Sequence, residues 1–364
     1  MQIKEVIDTL EEMAPLAYAE DFDNVGLLVG DKNAEITGVL VTLDTLEVTI
    51  DEAIENNCNL IIAFHPIVFS GLKKITGKTY VERVVLKAIQ NNIAIYSIHT
   101  ALDNYFRGVN HQICEKLGLQ HRKVLLPQKS TIKKLTTYVP IENSTLVKQA
   151  LFEAGAGSIG NYENCSFTVE GIGSFKGNEA SNPVIGEKGK LQEEKEIQLN
   201  ITFAKHLEPK IVKALFEAHP YEEVAYEITS LDNYNQKIGI GMIGELTEAI
   251  DTHTFLQQVK KTFKCGVIRH SALVKEKVKK VAVLGGSGAF AINQAIRESA
   301  DIYLTSDLKY HDFYKAEDKI VLADIGHYES EQYTKNLLHE FLTKKFSSFA
   351  IILSQKNTNP IQYS

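Results

Sequence analysis

Cysteine is scarce in this chain of 364 residues: only four occur, at positions 58, 114, 165 and 265. They lie far apart and none belongs to a CxxC pair, so their spacing gives no basis for a disulfide pairing. Isolated cysteines of this kind are typical of buried free thiols in a reducing compartment. We therefore expect unpaired cysteines.

Long apolar runs and a basic excess are also lacking. No run of about 18 apolar residues occurs, which excludes a transmembrane helix, and residues 1–16 form an acidic amphipathic pattern unlike a signal peptide. We expect a cytoplasmic protein that does not bind membranes. Lys and Arg total 39 against 46 Asp and Glu, which argues against nucleic-acid binding despite lysine clusters in "GLKKITGK" and "VKEKVKK".

The length and composition are those of a folded globular protein. The chain is 44% hydrophobic and 23% charged, which is ordinary usage. Single cores seldom grow far beyond about 250 residues, so two or three domains are expected.

Both ends of the chain show alternating helix and strand patterns. In residues 1–129, apolar strands such as "GVLVTLD", "NLIIAF" and "IAIYSIH" alternate with helical stretches such as "VERVVLKAIQNN". Residues 236–364 repeat this alternation in "VKKVAVLGGSGAFAINQAI" and "ADIYLTSDLKYHDFYKA". The pattern predicts an α/β core of mostly parallel sheets flanked by helices, built from both chain ends.

Residues 130–235 have a different texture. Their order of strand, helix, strand, strand, helix and strand predicts an inserted α+β domain of the ferredoxin-like type.

Candidate metal ligands stand at three predicted strand ends. His65 follows "NLIIAF", His99 and Asp103 lie in "HTALDN", and His327 and Glu331 lie in "DIGHYESE". Ligands bind beyond the carboxyl ends of parallel strands, and mixed His and carboxylate sets suit zinc, manganese, iron or nickel. His327 and Glu331 are four residues apart, so a helix beginning near His327 directs both into one crevice and Glu329 elsewhere.

Each candidate also has a structural interpretation. His65 before a proline can fill a core, Asp103 can cap the following turn, and Glu331 can be a solvated first-turn acid. The coincidence of three such clusters at successive strand ends favours a metal site.

Other motifs leave two interpretations open. "VLGGSGAF" fits either a tightly packed turn or an anion-binding turn, although it matches no nucleotide fingerprint. Asp307 and His311, four residues apart, can form a proton-handling pair or a helix cap with a surface histidine. Asp44 is predicted to cap the helix after it, and His219 is predicted to act within a turn.

Taken in order, several segments resemble the Nif-three-like family, also called GTP cyclohydrolase 1 type 2 homologs. The resemblance covers nearly the whole chain and is carried by "DFDNVGLLVG", "IIAFHPIVFSG", "SIHTALDN", "HPYEEVAYEI", "IGMIGEL", "VAVLGGSGAF", "YLTSDLKYHD" and "DIGHYESE". It implies a two-lobed α/β core with a dinuclear metal centre, a PII- or CutA-like insert, and assembly into a ring-shaped homohexamer.

The resemblance also implies a ligand set: His65, Asp103, His327 and Glu331, with Glu331 bridging two ions. Where the family has His-His-Pro, this chain has Phe64, His65 and Pro66. Phenylalanine has no lone pair to donate, so one or two divalent ions are expected per chain. Zinc is favoured, with manganese, iron, nickel and magnesium as alternatives.

Three functions follow as hypotheses. The first is a metal-dependent hydrolase-like enzyme acting on a nucleotide or phosphorylated small molecule, with His99 or His311 as proton shuttle. The second is a non-catalytic metal-binding protein with a regulatory or assembly role. The third, a ring that encircles DNA, is disfavoured by the acidic charge balance.

Overall fold

Both ends of the chain fold into one unit, and the middle of the chain forms another. The computed structural model describes residues 1–347 and 349–364. The first unit joins Met1–Pro127 to Gln236–Ser364, and the second, here called the inserted unit, is Gln128–Asn235.

The helices and strands alternate along most of the chain. The α-helices are α1 Ile3–Met13, α2 Glu47–Glu55, α3 Tyr80–Gln90, α4 His99–Asp103, α5 Val109–Lys116, α6 Ser144–Glu153, α7 Glu208–Ala218, α8 Thr252–Thr262, α9 Ile292–Arg297, α10 His327–Glu331 and α11 Thr334–Lys345. The strands are β1 Gly26–Val29, β2 Val39–Thr42, β3 Leu60–Ala63, β4 Ala94–Ser97, β5 Gln120–Pro127, β6 Ile132–Pro140, β7 Phe167–Lys176, β8 Leu191–Ala204, β9 Tyr226–Leu231, β10 Gly239–Asp251, β11 Arg269–His270, β12 Lys277–Ser287, β13 Ile302–Ser306, β14 Val321–Asp324 and β15 Ile351–Leu353.

The first sheet has the order β1-β4-β3-β2-β15. Its pairs are parallel except for β1 with β4. Every residue of β2, β3 and β4 is buried, as expected for parallel strands whose two faces are both covered. Apolar residues on either side of this sheet belong to two different core clusters.

The second sheet, of order β11-β14-β13-β12-β10-β5, departs from the expected mostly parallel arrangement. Only β12 with β13 and β13 with β14 are parallel; β11, β10 and β5 pair antiparallel with their neighbours. Pro127 of β5 lies opposite Gly239 of β10, and the inserted unit is the chain segment between them. The insertion thus connects two neighbouring strands as a hairpin loop does, which is why β5 and β10 are antiparallel.

The inserted unit is an antiparallel sheet of order β7-β8-β6-β9 with the helices α6 and α7. Its core consists of apolar side chains from β6 and β8, among them Leu135, Leu199 and Ile201, packed with Val147 of α6 and Leu215 of α7.

The free-thiol prediction is confirmed for the four cysteines. Cys58, Cys114 and Cys265 are buried, Cys165 is half-buried, and none is in a disulfide. Burial raises the pKa of Cys58 to about 11, with the charge of Glu52 adding to it. In the part of the chain that the structure describes, none of the helices combines the length and apolar character needed to cross a bilayer.

Candidate metal centre

The carboxyl ends of strands from both sheets of the first unit supply the candidate site. His65 comes two residues after β3, and Asp103 ends α4, which follows β4. From the second sheet, β14 leads into the five-residue helix α10, which begins with His327 and ends with Glu331. The chain then starts a separate helix, α11, at Thr334.

Two imidazoles converge on one carboxylate oxygen. The Nε2 atoms of His65 and His327 lie 3.0 Å and 3.1 Å from Oε2 of Glu331. The ligand atoms of these three residues all lie within 4.8 Å of one another, and Glu331 is 3% exposed. Two imidazole nitrogens and one carboxylate oxygen, gathered in this way, could hold a metal ion.

Buried polar atoms in this cluster lack hydrogen-bond partners. Among the described residues, Nε2 of His65, Oε2 of Glu331 and Oδ1 of Asp103 are buried without one. Leaving such atoms unpaired is costly, and a metal ion held by His65 and Glu331 would satisfy the imidazole nitrogen and the carboxylate oxygen. The donor set therefore fits a divalent ion. Asp103, a predicted ligand, is not among the three residues whose ligand atoms lie within 4.8 Å of one another, although its charge interacts with that of Glu331.

In the absence of a cation, the negative charges around the two imidazoles raise their pKa values. Burial lowers the pKa of His65, but the charge of Glu331 and a hydrogen bond with Asp44 outweigh it and raise this pKa to about 10. For His327, burial is outweighed in the same way by Glu331 and Asp307, and its pKa rises to about 11. Burial acts to raise the pKa of Glu331, but the two imidazoles hold it below its usual range.

Asp103 differs from Glu331 in its charge environment. Burial, reinforced by the negative charge of Glu331, raises the pKa of Asp103 well above its ordinary value. A divalent cation beside both carboxylates would remove that repulsion.

Two aspartates that were not among the predicted ligands orient the imidazoles. Oδ1 of Asp44 lies 2.8 Å from Nδ1 of His65, and Oδ2 of Asp307 lies 2.6 Å from Nδ1 of His327. A carboxylate on the second nitrogen fixes the ring and presents Nε2 to a metal. Thr358 donates a hydrogen bond to the other oxygen of Asp44.

The predicted cap at Asp44 is wrong, and the contacts of Asp307 do not support the proton-handling interpretation of Asp307 and His311. Helix α2 begins after Leu46 without a side-chain cap, because Asp44 is directed to His65. Asp307 is bonded to His327. The signal that could have revealed both aspartates is their position: Asp44 follows β2 and Asp307 follows β13, the same placement that marked His65.

Asp44→Asn and Asp307→Asn are each expected to weaken metal binding about 10- to 100-fold, because the imidazole loses the carboxylate that orients it and raises its basicity. Competition with a chromophoric chelator measures the affinity. Asp51→Asn, which removes the surface ion pair with Lys87, serves as the matched control. Unchanged affinity in both site variants would contradict the orienting role.

The glycine-rich segment at the end of β12 packs against the carboxylate of Glu331. The N–H of Gly285 donates to Asn110 and that of Gly286 donates to Ser330, so neither is available to an anion. A Cβ at Gly286, where φ is +71°, would lie 2.4 Å from Oε1 of Glu331. These contacts favour the tight-packing interpretation of the motif.

Gly286→Ala is expected to destabilise the protein by about 1–3 kcal/mol, because alanine is strained at positive φ and its methyl group displaces Glu331. Thermal unfolding and bound metal should both decrease. Gly71→Ala is the control, since Gly71 has open space around its Cβ direction. Normal stability and normal metal content in Gly286→Ala would show that the turn does not hold Glu331.

His99 lies beside the cluster. Its ring centroid is 5.2 Å from that of His65, and its Nδ1 is 2.8 Å from Oδ1 of Asp23. Burial acts to raise the pKa of Asp23, but hydrogen bonds from His99 and Thr100 outweigh it and lower this pKa. Phe64 is fully buried, and its ring contacts both histidines at centroid distances of 4.9 Å and 5.4 Å.

The remaining candidates contact other residues. His311 is exposed, with its ring against Tyr310 and Tyr314. Glu329 is buried and accepts a hydrogen bond from Asn359, so it is directed away from the cluster, as predicted.

His219 has a structural role, as predicted. Its Nε2 lies 2.9 Å from the carbonyl oxygen of Tyr138, and its Nδ1 accepts a hydrogen bond from the N–H of Tyr221. Burial lowers the pKa of this imidazole.

Comparison with known proteins agrees with these features. Residues 1–360 match the family described as Duf34/NIF3 (NGG1p interacting factor 3). A Bacillus subtilis (strain 168) relative named GTP cyclohydrolase 1 type 2 homolog is 39% identical, over 99% of this chain and 98% of its own. A Staphylococcus epidermidis relative of the same name is 35% identical over the full length of both chains.

Solved structures give the same result. The crystal structure of a Bacillus cereus protein related to NIF3 matches with a TM-score of 0.84 at 37% identity, covering 100% of this chain and 99% of that one. A Staphylococcus aureus protein matches with a TM-score of 0.78 at 29% identity and the same coverage. The resemblance seen in the sequence is confirmed, and the chain belongs to the Duf34/NIF3 (NGG1p interacting factor 3) family.

Proposed function

We propose that this protein is a metal-dependent hydrolase-like enzyme that binds a divalent ion through His65, His327 and Glu331, with Asp103 as a further ligand. The observation that carries the proposal is the convergence of two imidazole nitrogens on one buried oxygen of Glu331. Zinc is the favoured ion because it prefers nitrogen and carboxylate ligands in small sets that leave a position open. The names of the relatives in Bacillus and Staphylococcus support a nucleotide-like or phosphorylated substrate.

One ion per chain is the proposed stoichiometry. The family resemblance implies a second ion held by a histidine at the position of Phe64, and the buried phenyl ring at that position supplies no ligand atom.

The residues around the ion supply the proton chemistry. When bound, a divalent ion provides Lewis-acid activation of a substrate oxygen and of water. His99 is oriented by Asp23 through Nδ1, which leaves Nε2 as the atom that accepts or donates a proton. An imidazole held in this way is suited to general acid–base catalysis.

The test is a hydrolysis screen of metal-loaded protein against nucleoside triphosphates and phosphomonoesters, with zinc or manganese added back after chelation. Turnover should require the metal, and His99→Gln should lower kcat about 10²- to 10⁴-fold, the usual contribution of a general acid or base. His311→Gln, on the exposed surface, should retain activity. Stoichiometric metal without turnover of any substrate would instead support the non-catalytic metal-binding function.

We further propose that the protein forms the homohexameric ring implied by the family resemblance and that the inserted unit is ferredoxin-like. The strand order β7-β8-β6-β9 with two helices supports the second point. Light scattering that gave a particle of other than six chains would contradict the first.

A further inference from the structure

One face of the inserted unit's sheet carries no helix. Leu135 of β6 and Leu199 and Ile201 of β8 face the core with α6 and α7. Side chains alternate between faces along a strand, so Tyr138, Glu196 and Gln198 lie on the opposite face. In the antiparallel register, Gln198 lies opposite Tyr138 of β6 and Val169 of β7, and Glu196 lies opposite Gly171.

A cleft of about 610 Å³ lies on that face. It is bounded by β7, by residues 177–185 and by residues 221–225, and its volume is in the range of small-molecule sites, about 300–1,000 Å³. Its walls are largely apolar, with Val169, Ile172, Phe175 and Val184 among the lining side chains. Ile172 and Val184 are exposed, although such side chains are usually buried.

The charge of the cleft is strongly negative. Its lining includes four glutamates, at positions 170, 196, 222 and 223, against a single basic residue, Lys176. These carboxylates do not converge as metal ligands do, because the only such group found among the described residues is His65, His327 and Glu331. The cleft therefore favours a cation with an apolar body over a bare metal ion.

Glu196 is the polar anchor of the cleft. It is 8% exposed, and its Oε1 accepts a hydrogen bond of 2.8 Å from the hydroxyl of Tyr221. The segment carrying Tyr221 is held by His219, whose Nδ1 accepts the N–H of Tyr221. Among the described residues, none donates a hydrogen bond to Oε2 of Glu196 and no basic side chain forms an ion pair with it.

The edge strand β7 leaves room for this carboxylate. A Cβ at Gly173 would lie 2.1 Å from Oε2 of Glu196, so the carboxylate occupies space that any other residue at position 173 would fill. A buried carboxylate with one oxygen fixed and the other unpaired is an acceptor for a cationic donor.

We propose that this cleft binds an organic cation, an ammonium or guanidinium group on an apolar body, with the cationic group on Oε2 of Glu196 and the body against Val169, Ile172 and Phe175. The site lies wholly within the inserted unit and does not depend on the proposed function of the metal centre.

Calorimetric titration of the full chain with tyramine, tryptamine and agmatine tests the proposal, with 4-ethylphenol and 3-ethylindole as uncharged counterparts of the two aromatic amines. At least one cation should bind with Kd below about 1 mM. Binding of an aromatic amine should be at least about 10-fold tighter than that of its counterpart, because a charge-assisted hydrogen bond contributes a factor of this size. Glu196→Gln should lose at least about 10-fold in affinity for the cations.

Glu227→Gln, on exposed β9 outside the cleft, is the matched control and should bind as the unmodified chain does. Gly173→Ala is a second variant. It should lose affinity for the cations because its methyl group displaces the carboxylate of Glu196, while its metal content should stay unchanged. The proposal is overturned if none of the three cations binds, if the uncharged counterparts bind equally well, or if Glu196→Gln keeps full affinity.

Discussion

Glu331→Gln is expected to lower the affinity for divalent metal by more than about 100-fold, a larger loss than replacement of an orienting residue causes. The glutamine amide has no negative charge, whereas both His65 and His327 direct Nε2 at a carboxylate oxygen. Metal analysis by emission spectroscopy after gel filtration, followed by chelator competition, measures the loss. Any metal-dependent turnover should disappear with the metal.

Glu329→Gln is the matched control for this substitution. Glu329 lies on the same short helix and is buried to nearly the same extent, 4% against 3% exposed, but it bonds Asn359 and not the imidazoles. Metal content should therefore be unchanged in Glu329→Gln. If both variants kept their metal, or if both lost it equally, the ligand role of Glu331 would be refuted.

Much of the metal cluster could be predicted from strand ends. His65, His327 and Glu331 follow strands whose buried, apolar residues are evident in the sequence, and parallel strands bring their carboxyl ends together. The four-residue spacing of His327 and Glu331 was sufficient to predict that both face one crevice. It held even though the helix is only five residues long, because both residues fall within its single turn.

The orienting carboxylates were harder to predict. An aspartate after a strand and before a helix is also what an N-cap requires, and this more common role concealed Asp44. For Asp307 and His311, four-residue spacing is informative only on a continuous helix. Asp307 has φ +56°, and the 3₁₀ helix that follows begins at Tyr310, so the two side chains do not share a helical face.

Strand direction in the second sheet was missed for a different reason. Hydrophobic alternation identifies strands but does not reveal which neighbours they pair with. β5 and β10 are separated by the whole inserted unit along the chain, yet they are direct antiparallel partners. Only the tertiary structure reveals that pairing.

Metal affinity is expected to rise steeply with pH, with log K increasing by about 2 per pH unit between pH 6 and 8. In the metal-free protein the pKa values of His65 and His327 are raised to about 10 and about 11, so both imidazoles are protonated throughout this range. Each must lose its proton to ligate a metal, whereas Glu331, whose pKa is lowered, is already ionised. The affinity should therefore increase about 10⁴-fold over these two pH units.

Chelator competition at several pH values, corrected for protonation of the chelator, measures this slope. In His327→Ala, only one imidazole remains to release a proton, so the slope should fall to about 1. A slope near 3 in the unmodified chain would show that Asp103, whose pKa burial raises, also gives up a proton as a ligand. A slope near zero would mean that metal binding releases no protons from the imidazoles. The metal would then have to be assigned to other residues.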